Sequence, residues 1–156
     1  MKISDILTED LVVNGLQGTS KQEIIDAMID LVATSPKVLD KEKVRTAILE
    51  REKIMSTGVG DGFAIPHGKT DAVSEIVAAF AVTEEPIDYQ SLDEKPVRLV
   101  FLLVGKDNMV GPHIKLLSRI SRLMNKEEFR RKLLTLKTAK EVLDLFRQEE
   151  ATYFEV

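Results

Sequence analysis

Two apolar runs limit the fold more than any other feature of this chain. Ile76 to Val82 and Val97 to Val104 are each of strand length, one bounded by Thr83-Glu84-Glu85-Pro86 and the other by Gly105. Neither alternates with polar residues, as a strand with one wet face would, so both read as interior strands covered on two faces. A sheet containing them needs a helical layer on each side.

The rest of the sequence supplies those layers. Leu11-Val12-Val13 is a short β-type run ended by Asn14-Gly15 and Gly18, after which Thr19 or Ser20 can cap a helix. Ile24, Ile25, Met28, Ile29, Leu31 and Val32 follow at helical spacing, and Ser35-Pro36 stops the helix, since a residue preceding proline is driven out of the α region. Asp40 caps a second helix as a simple cap without a capping box, because Lys43 stands where a Glu would be needed. Val44, Ala47, Ile48 and Met55 share one side of it, and Arg51 falls on that same side. From Pro112 the helical pattern returns through Ile114, Leu116, Leu117, Ile120, Leu123 and Met124, then Phe129, Leu133 and Leu134. A last helix starts near Thr138 and runs through Val142, Leu143, Leu145 and Phe146. The expectation is one α/β domain with a sheet of roughly five strands between helices.

Composition removes several kinds of chemistry. The 156 residues are 44% hydrophobic and include no cysteine, which excludes disulfides, thiolate zinc sites and cysteine nucleophiles. The start Met1-Lys2-Ile3-Ser4-Asp5 is no leader, and no apolar stretch approaches the roughly 20 residues that cross a bilayer, so a soluble, cytoplasmic protein is expected. A net charge of −4 speaks against nonspecific nucleic-acid binding. The stretch from His113 to Lys140 is nevertheless basic. It is either a solvated helix face or a docking patch, and without interleaved aromatics it is no nucleic-acid surface.

Imidazole chemistry rests on His67 and His113. His67 ends a segment dense in glycine, Ser56-Thr57-Gly58-Val59-Gly60-Asp61-Gly62-Phe63-Ala64-Ile65-Pro66-His67-Gly68-Lys69. Such a backbone can approach an anion closely with its amides aimed inward, or can simply be a tight turn between strands. It matches neither G-x-x-x-x-G-K-[ST] nor G-x-G-x-x-G. Pro66 fixes the backbone before His67 and Gly68 frees it afterwards, leaving the ring held and accessible. A neutral imidazole is a competent nucleophile toward phosphorus near pH 7. His113 follows Gly111-Pro112 at a helix start and faces inward with Leu117, Ile120 and Met124. The helix dipole there favours a neutral ring beside an anion, although a core histidine explains the same pattern. Arg51, placed where the core should be, either snorkels outward or reaches an anion. His67, His113 and Asp61 could in principle ligate zinc, but no H-x-x-x-H or H-x-H pair exists. G-x-S-x-G is also absent. The expectation is therefore no metal and no cofactor.

The glycine-rich segment resembles the active-site signature of IIA domains of the phosphoenolpyruvate-dependent sugar phosphotransferase system, of the fructose and mannitol type that includes the nitrogen-regulatory IIA proteins. Arg51-Glu52-Lys53 before it, Ile87-Asp88, Ser91-Leu92-Asp93 and Pro96-Val97 between two strands, and His113-Ile114-Lys115-Leu116-Leu117 after it extend the likeness over nearly the whole chain, as one domain across residues 1–156. The resemblance implies a mixed sheet flanked by helices on both sides and a histidine phosphorylated by an HPr-like phosphocarrier. That role falls on His67, with His113 as the second histidine and Arg51 as the arginine beside the phosphate. Thr57 would give a hydroxyl to the site, with Gly58 and Gly68 as the glycines about the phosphate. The implied acceptor is a cysteine of a separate IIB component, for sugar uptake, or a regulatory target protein whose binding the phosphate switches. No fused IIB or IIC segment is expected, because one domain consumes the length.

Overall fold

The two apolar runs pair with each other. In the computed structural model, which describes residues 1–154, β5 (Val77–Ile87) and β6 (Val97–Lys106) lie antiparallel with Phe80 opposite Phe101. Strand β5 continues past the Thr83-Glu84-Glu85-Pro86 boundary by means of a register shift between Val82 and Ile87. Side-chain alternation splits the pair between two cores, as a strand covered on both faces requires. Phe80, Phe101 and Leu103 belong to one cluster, and Ala79, Val100 and Leu102 to the other.

Each core has its own helices. The first packs α4 (Val110–Met124), α5 (Glu127–Thr135) and α6 (Ala139–Phe154) with the short α1 (Ile3–Ile6). Its centre is four aromatic rings, where Phe146 meets Phe80, Phe101 and Phe129 edge-on at 5.2, 5.7 and 5.1 Å between centroids, the arrangement that ring quadrupoles favour. The second packs α2 (Lys21–Val32) and α3 (Lys41–Ile54). Ser20 caps α2 by accepting from the Glu23 amide, and Asp40 caps α3 by accepting from the amides of Glu42 and Lys43. Thr138 and Glu141 bond reciprocally at the start of α6.

The sheet is mixed and has six strands among the described residues rather than about five. At one edge β1 (Val12–Leu16) runs parallel to β5, passing through Asn14-Gly15 instead of ending there. Gly15 takes φ +92°, the ladder shifts register at that point, and the Asn14 amide donates to Leu136 O at 2.6 Å. The other edge comes from the glycine-rich segment, which folds into β2 (Gly58–Gly60), β3 (Phe63–Ala64) and β4 (His67–Thr70). Strands β3 and β4 run in one line parallel to β6, interrupted only at Ile65-Pro66. Proline has no amide to give the ladder, but its carbonyl still accepts from Leu103 N at 3.0 Å.

Candidate functional site

The interruption at Pro66 positions His67. It brings the ring back over the preceding turn, where Nδ1 lies 2.8 Å from Ile65 O. A carbonyl only accepts, so Nδ1 carries the proton and the lone pair is left on Nε2. The half-buried ring is held below the usual histidine range by desolvation and by the Arg51 charge. The Ile65 carbonyl and Glu52 oppose that shift. At neutral pH the ring is thus a neutral imidazole with a fixed tautomer and a free basic nitrogen.

His113 approaches from the opposite side. It is the fourth residue of α4, since that helix begins at Val110 rather than Pro112, and its amide already bonds Met109 O. Only 4% exposed, its ring lies against the Cα of Gly105, where an added Cβ would stand 2.2 Å from Nδ1. The ring centroids of His67 and His113 are 6.0 Å apart. Burial first, then the charges of His67 and Lys69, lower the His113 pKa to about 4; desolvation rather than the helix dipole is the leading cause. Nδ1 is buried without a hydrogen-bond partner. A proton there would have no acceptor, so the neutral ring keeps its proton on Nε2, as a donor.

Arg51 arrives with α3. That helix packs against β4 because Gly68 has no side chain: a Cβ there would lie 3.0 Å from the backbone carbonyl of Ala47. One turn beyond Ala47, Arg51 lines the same cleft as His67, Gly68, Lys69, Asp107 and His113, a space of about 610 Å³. Its guanidinium is not buried in the core as its helical position suggested. The helix ends at Ile54, Met55 lies outside it and is exposed, and Arg51 donates to Met55 O at 2.8 Å, leaving its other donors for the cleft.

Thr57 and Gly58 lie on another side. The Thr57 hydroxyl bonds the Glu52 carboxylate and sits 3.1 Å from the Tyr89 hydroxyl, while Gly58 leaves room for Tyr89 and Ser91. Of the residues expected about an anion, Arg51, Gly68 and both histidines share the cleft; these two do not line it. Nor does the segment form a nest of free amides, since much of its backbone is spent on sheet pairing. Glu52, next to Arg51 in the Arg51-Glu52-Lys53 run, was not among the expected site residues. Its carboxylate accepts from Tyr89 OH at 3.0 Å and from the Thr57 amide, and pairs with Lys21 Nζ at 3.0 Å. It thereby ties α2, α3 and the start of β2 together next to Arg51.

The basic stretch of α4 and α5 is in part paired with acids. Arg131 pairs with Glu127, Lys132 with Glu128, and Arg119 reaches the buried Glu150, which also caps the amides of Ile3 and Ser4. Among the described residues no three His, Asp or Glu side chains converge as a metal site would require, and no helix is long and apolar enough to cross a membrane.

A mixed sheet between helical layers, presenting a tautomer-fixed imidazole beside a second imidazole and a guanidinium, defines a class of α/β domain equipped to hold a small anion at a nucleophilic nitrogen. The chain belongs to the family described as phosphoenolpyruvate-dependent sugar phosphotransferase system, EIIA 2, whose model matches residues 5–149. It is 35% identical over 150 residues, 96% of its length, to the fructose-specific EIIABC component of Bacillus subtilis, and spans about a quarter (24%) of that relative. The crystal structure of the nitrogen regulatory protein IIA-Ntr from Neisseria meningitidis matches with TM-score 0.86 and 32% identity over 92% of this chain and 98% of that one. The Escherichia coli mannitol IIA enzyme, solved in complex with phosphorylated IIB, shares the fold at TM-score 0.77 and 23% identity, covering 92% of this chain and 99% of the other. Sugar-specific and nitrogen-regulatory proteins thus both stand among its relatives.

Proposed function

We propose that this protein is a phosphoryl carrier that accepts the group on His67 Nε2 from an HPr-like phosphocarrier. It then passes the group to a IIB cysteine, in sugar uptake of the fructose or mannitol type. The observation that carries the reading is the 2.8 Å contact between His67 Nδ1 and Ile65 O. It leaves Nε2 as the nucleophile in a cleft shared with Arg51 and His113.

The Nε2 lone pair bonds to phosphorus as the donor's P–N or P–O bond breaks with its electron pair staying on the donor. The ring then carries a positive charge with its proton still on Nδ1, and the phosphoryl oxygens carry the negative charge. In onward transfer the acceptor's cysteine thiolate bonds to phosphorus as the N–P bonding pair returns to Nε2, and the leaving group is the neutral imidazole it started as. Ile65 O stabilises the proton whose presence makes that departure easy. Arg51 and the Nε2–H of His113 face the oxygens, where donors already in place stabilise the spreading charge of a loose transition state. Exposed Ile54 on the cleft rim, with Val110 and Ile114 on the first turns of α4, offers apolar surface for docking protein partners. A carrier working between an HPr-like donor and a IIB component would do so in the cytoplasm beside both partners.

Phosphoprotein formed with a labelled HPr-like donor should carry one acid-labile phosphate per chain. His67→Gln should carry none; equal labelling of the variant would overturn the assignment. A second reading is supported by the likeness to IIA-Ntr over 98% of that chain: phosphorylation switches binding to a regulatory target. Transfer of label from the phosphoprotein to a fructose-type IIB cysteine favours uptake, and a stable phosphoprotein that no IIB discharges favours the regulatory reading.

A further inference from the structure

We propose that Lys69 is the third donor to the phosphoryl group, supplying the second positive charge that Arg51 and the neutral ring of His113 do not. The inference rests on His67 being the phosphorylated residue and adds a contact to that site.

Strand β4 alternates, with Gly68 and Thr70 buried and His67 and Lys69 turned outward. Residues two apart on a strand share a face, so the ammonium is carried on the same side as the nucleophile. In the parallel ladder Lys69 stands opposite Gly105, the glycine over which the His113 ring lies. Lys69 lines the cleft with both imidazoles, and its charge acts on His113. Among the described residues its ammonium makes no ion pair within 4.0 Å, whereas Lys21, Lys41 and Lys132 all do. Asp107 lines the same cleft without taking it up.

A phosphoryl group presents three oxygens and a charge near −2. Arg51 supplies one positive charge and the neutral His113 none, so about one unit of that charge is left without a partner. A flexible ammonium on the nucleophile's own strand, in no ion pair among the described residues, supplies what these two leave over, and recruiting it costs the ordering of its side chain but no broken ion pair. Its long stem lets it follow the group as the N–P bond lengthens, which Arg51, anchored at the helix end, does less readily.

Chemical phosphorylation with potassium phosphoramidate, followed by a ³¹P NMR pH titration of the phosphohistidine, tests this without any protein partner. A cation at contact distance favours the dianion, so Lys69→Gln should raise the second pKa of the phosphoryl group by about one unit, roughly ten-fold in proton affinity. Lys69→Arg should stay near the unaltered protein. The difference should shrink as salt rises, as it must for an exposed charge. An unchanged phosphoryl pKa in Lys69→Gln overturns the proposal, even if transfer from a protein donor slows, because the lysine then serves docking alone. If the unaltered protein gains no phosphate on His67, the carrier reading itself fails. That failure is seen before any Lys69 variant is made.

Discussion

Gly105→Ala tests the placement of His113 with one added methyl group. The new Cβ would lie 2.2 Å from Nδ1 and 2.9 Å from both Cε1 and Cγ of the ring. Ordinary contact is about 3.5 Å or more, so the imidazole must move by about 1 Å. It cannot move cheaply, because it is buried on a helix packed into the first core. Forcing a side chain into a filled site costs about 1–3 kcal/mol. Against this, replacing glycine by alanine stiffens the unfolded chain and returns about 0.4–1 kcal/mol. The net expectation is destabilisation of about 1–2 kcal/mol, a fall in Tm of roughly 2–8 °C for a domain of this size. A shift of about 1 Å also misaligns the Nε2–H donor, and losing a charge-assisted hydrogen bond worth about 1.5–3 kcal/mol lowers the phosphorylated fraction about 10- to 100-fold. Thermal unfolding and equilibrium phosphorylation by an HPr-like donor measure the two effects. The decisive control is the same change made in His113→Ala, where the ring is gone. There Gly105→Ala should be neutral or mildly stabilising. If it destabilises equally with and without the ring, the glycine is not there for His113 and the reasoning is wrong.

Two further perturbations reach the same site by other routes. Because the folded-state pKa of His113 is about 4 against an ordinary 6.5, the unfolded chain binds more protons between these values. Stability contributed by the neutral ring is full above about pH 6.5 and drains away as pH falls toward 4, by up to about 3 kcal/mol; His67 is shifted in the same direction. Urea unfolding at pH 4.5 and pH 7 should show a smaller pH effect in His113→Gln than in the unaltered protein, and identical slopes would contradict the neutral ring. Glu52→Gln should cost about 1–3 kcal/mol by stripping Lys21 of its partner. It should also lower the His67 pKa further, since Glu52 raises it; an unmoved NMR titration of His67 would show that the carboxylate acts on the backbone only.

Much of the fold was legible because it follows from periodicity. Every position of Ile76 to Val82 is apolar, and only burial on both faces accounts for that; the two clusters divide the strand residue by residue. The Ser20 and Asp40 caps were readable because short polar side chains before a periodic run have one favoured local use. The edges were not readable. Strand β1 crosses Asn14-Gly15 and β2 to β4 arise from a segment with no apolar period, since at a sheet edge the neighbour's ladder, and not the chain's own pattern, decides whether a backbone is extended. Glycines that read as anion-binding also serve close approach, Gly68 under Ala47 and Gly58 beside Tyr89 and Ser91, a packing use that their pattern in the sequence did not reveal.

The site was legible only in its titratable members, and the reason lies in sequence distance. His67, His113 and Arg51 are of residue types conspicuous enough to be singled out, and β4, α4 and α3 bring them to one cleft. What fixes their chemistry is backbone and small: the Ile65 carbonyl that sets one tautomer, and the Cα of Gly105 that denies the other ring an acceptor at Nδ1. The two rings consequently receive complementary roles from opposite causes. A hydrogen bond at Nδ1 leaves His67 with a lone pair at Nε2, and the lack of one at Nδ1 leaves His113 with a proton at Nε2, which under the proposed function are the attacker and the donor. Two identical side chains 6.0 Å apart can therefore act as attacker and stabiliser without a proton passing between them, and this division would survive a change of donor or acceptor because neither partner sets it.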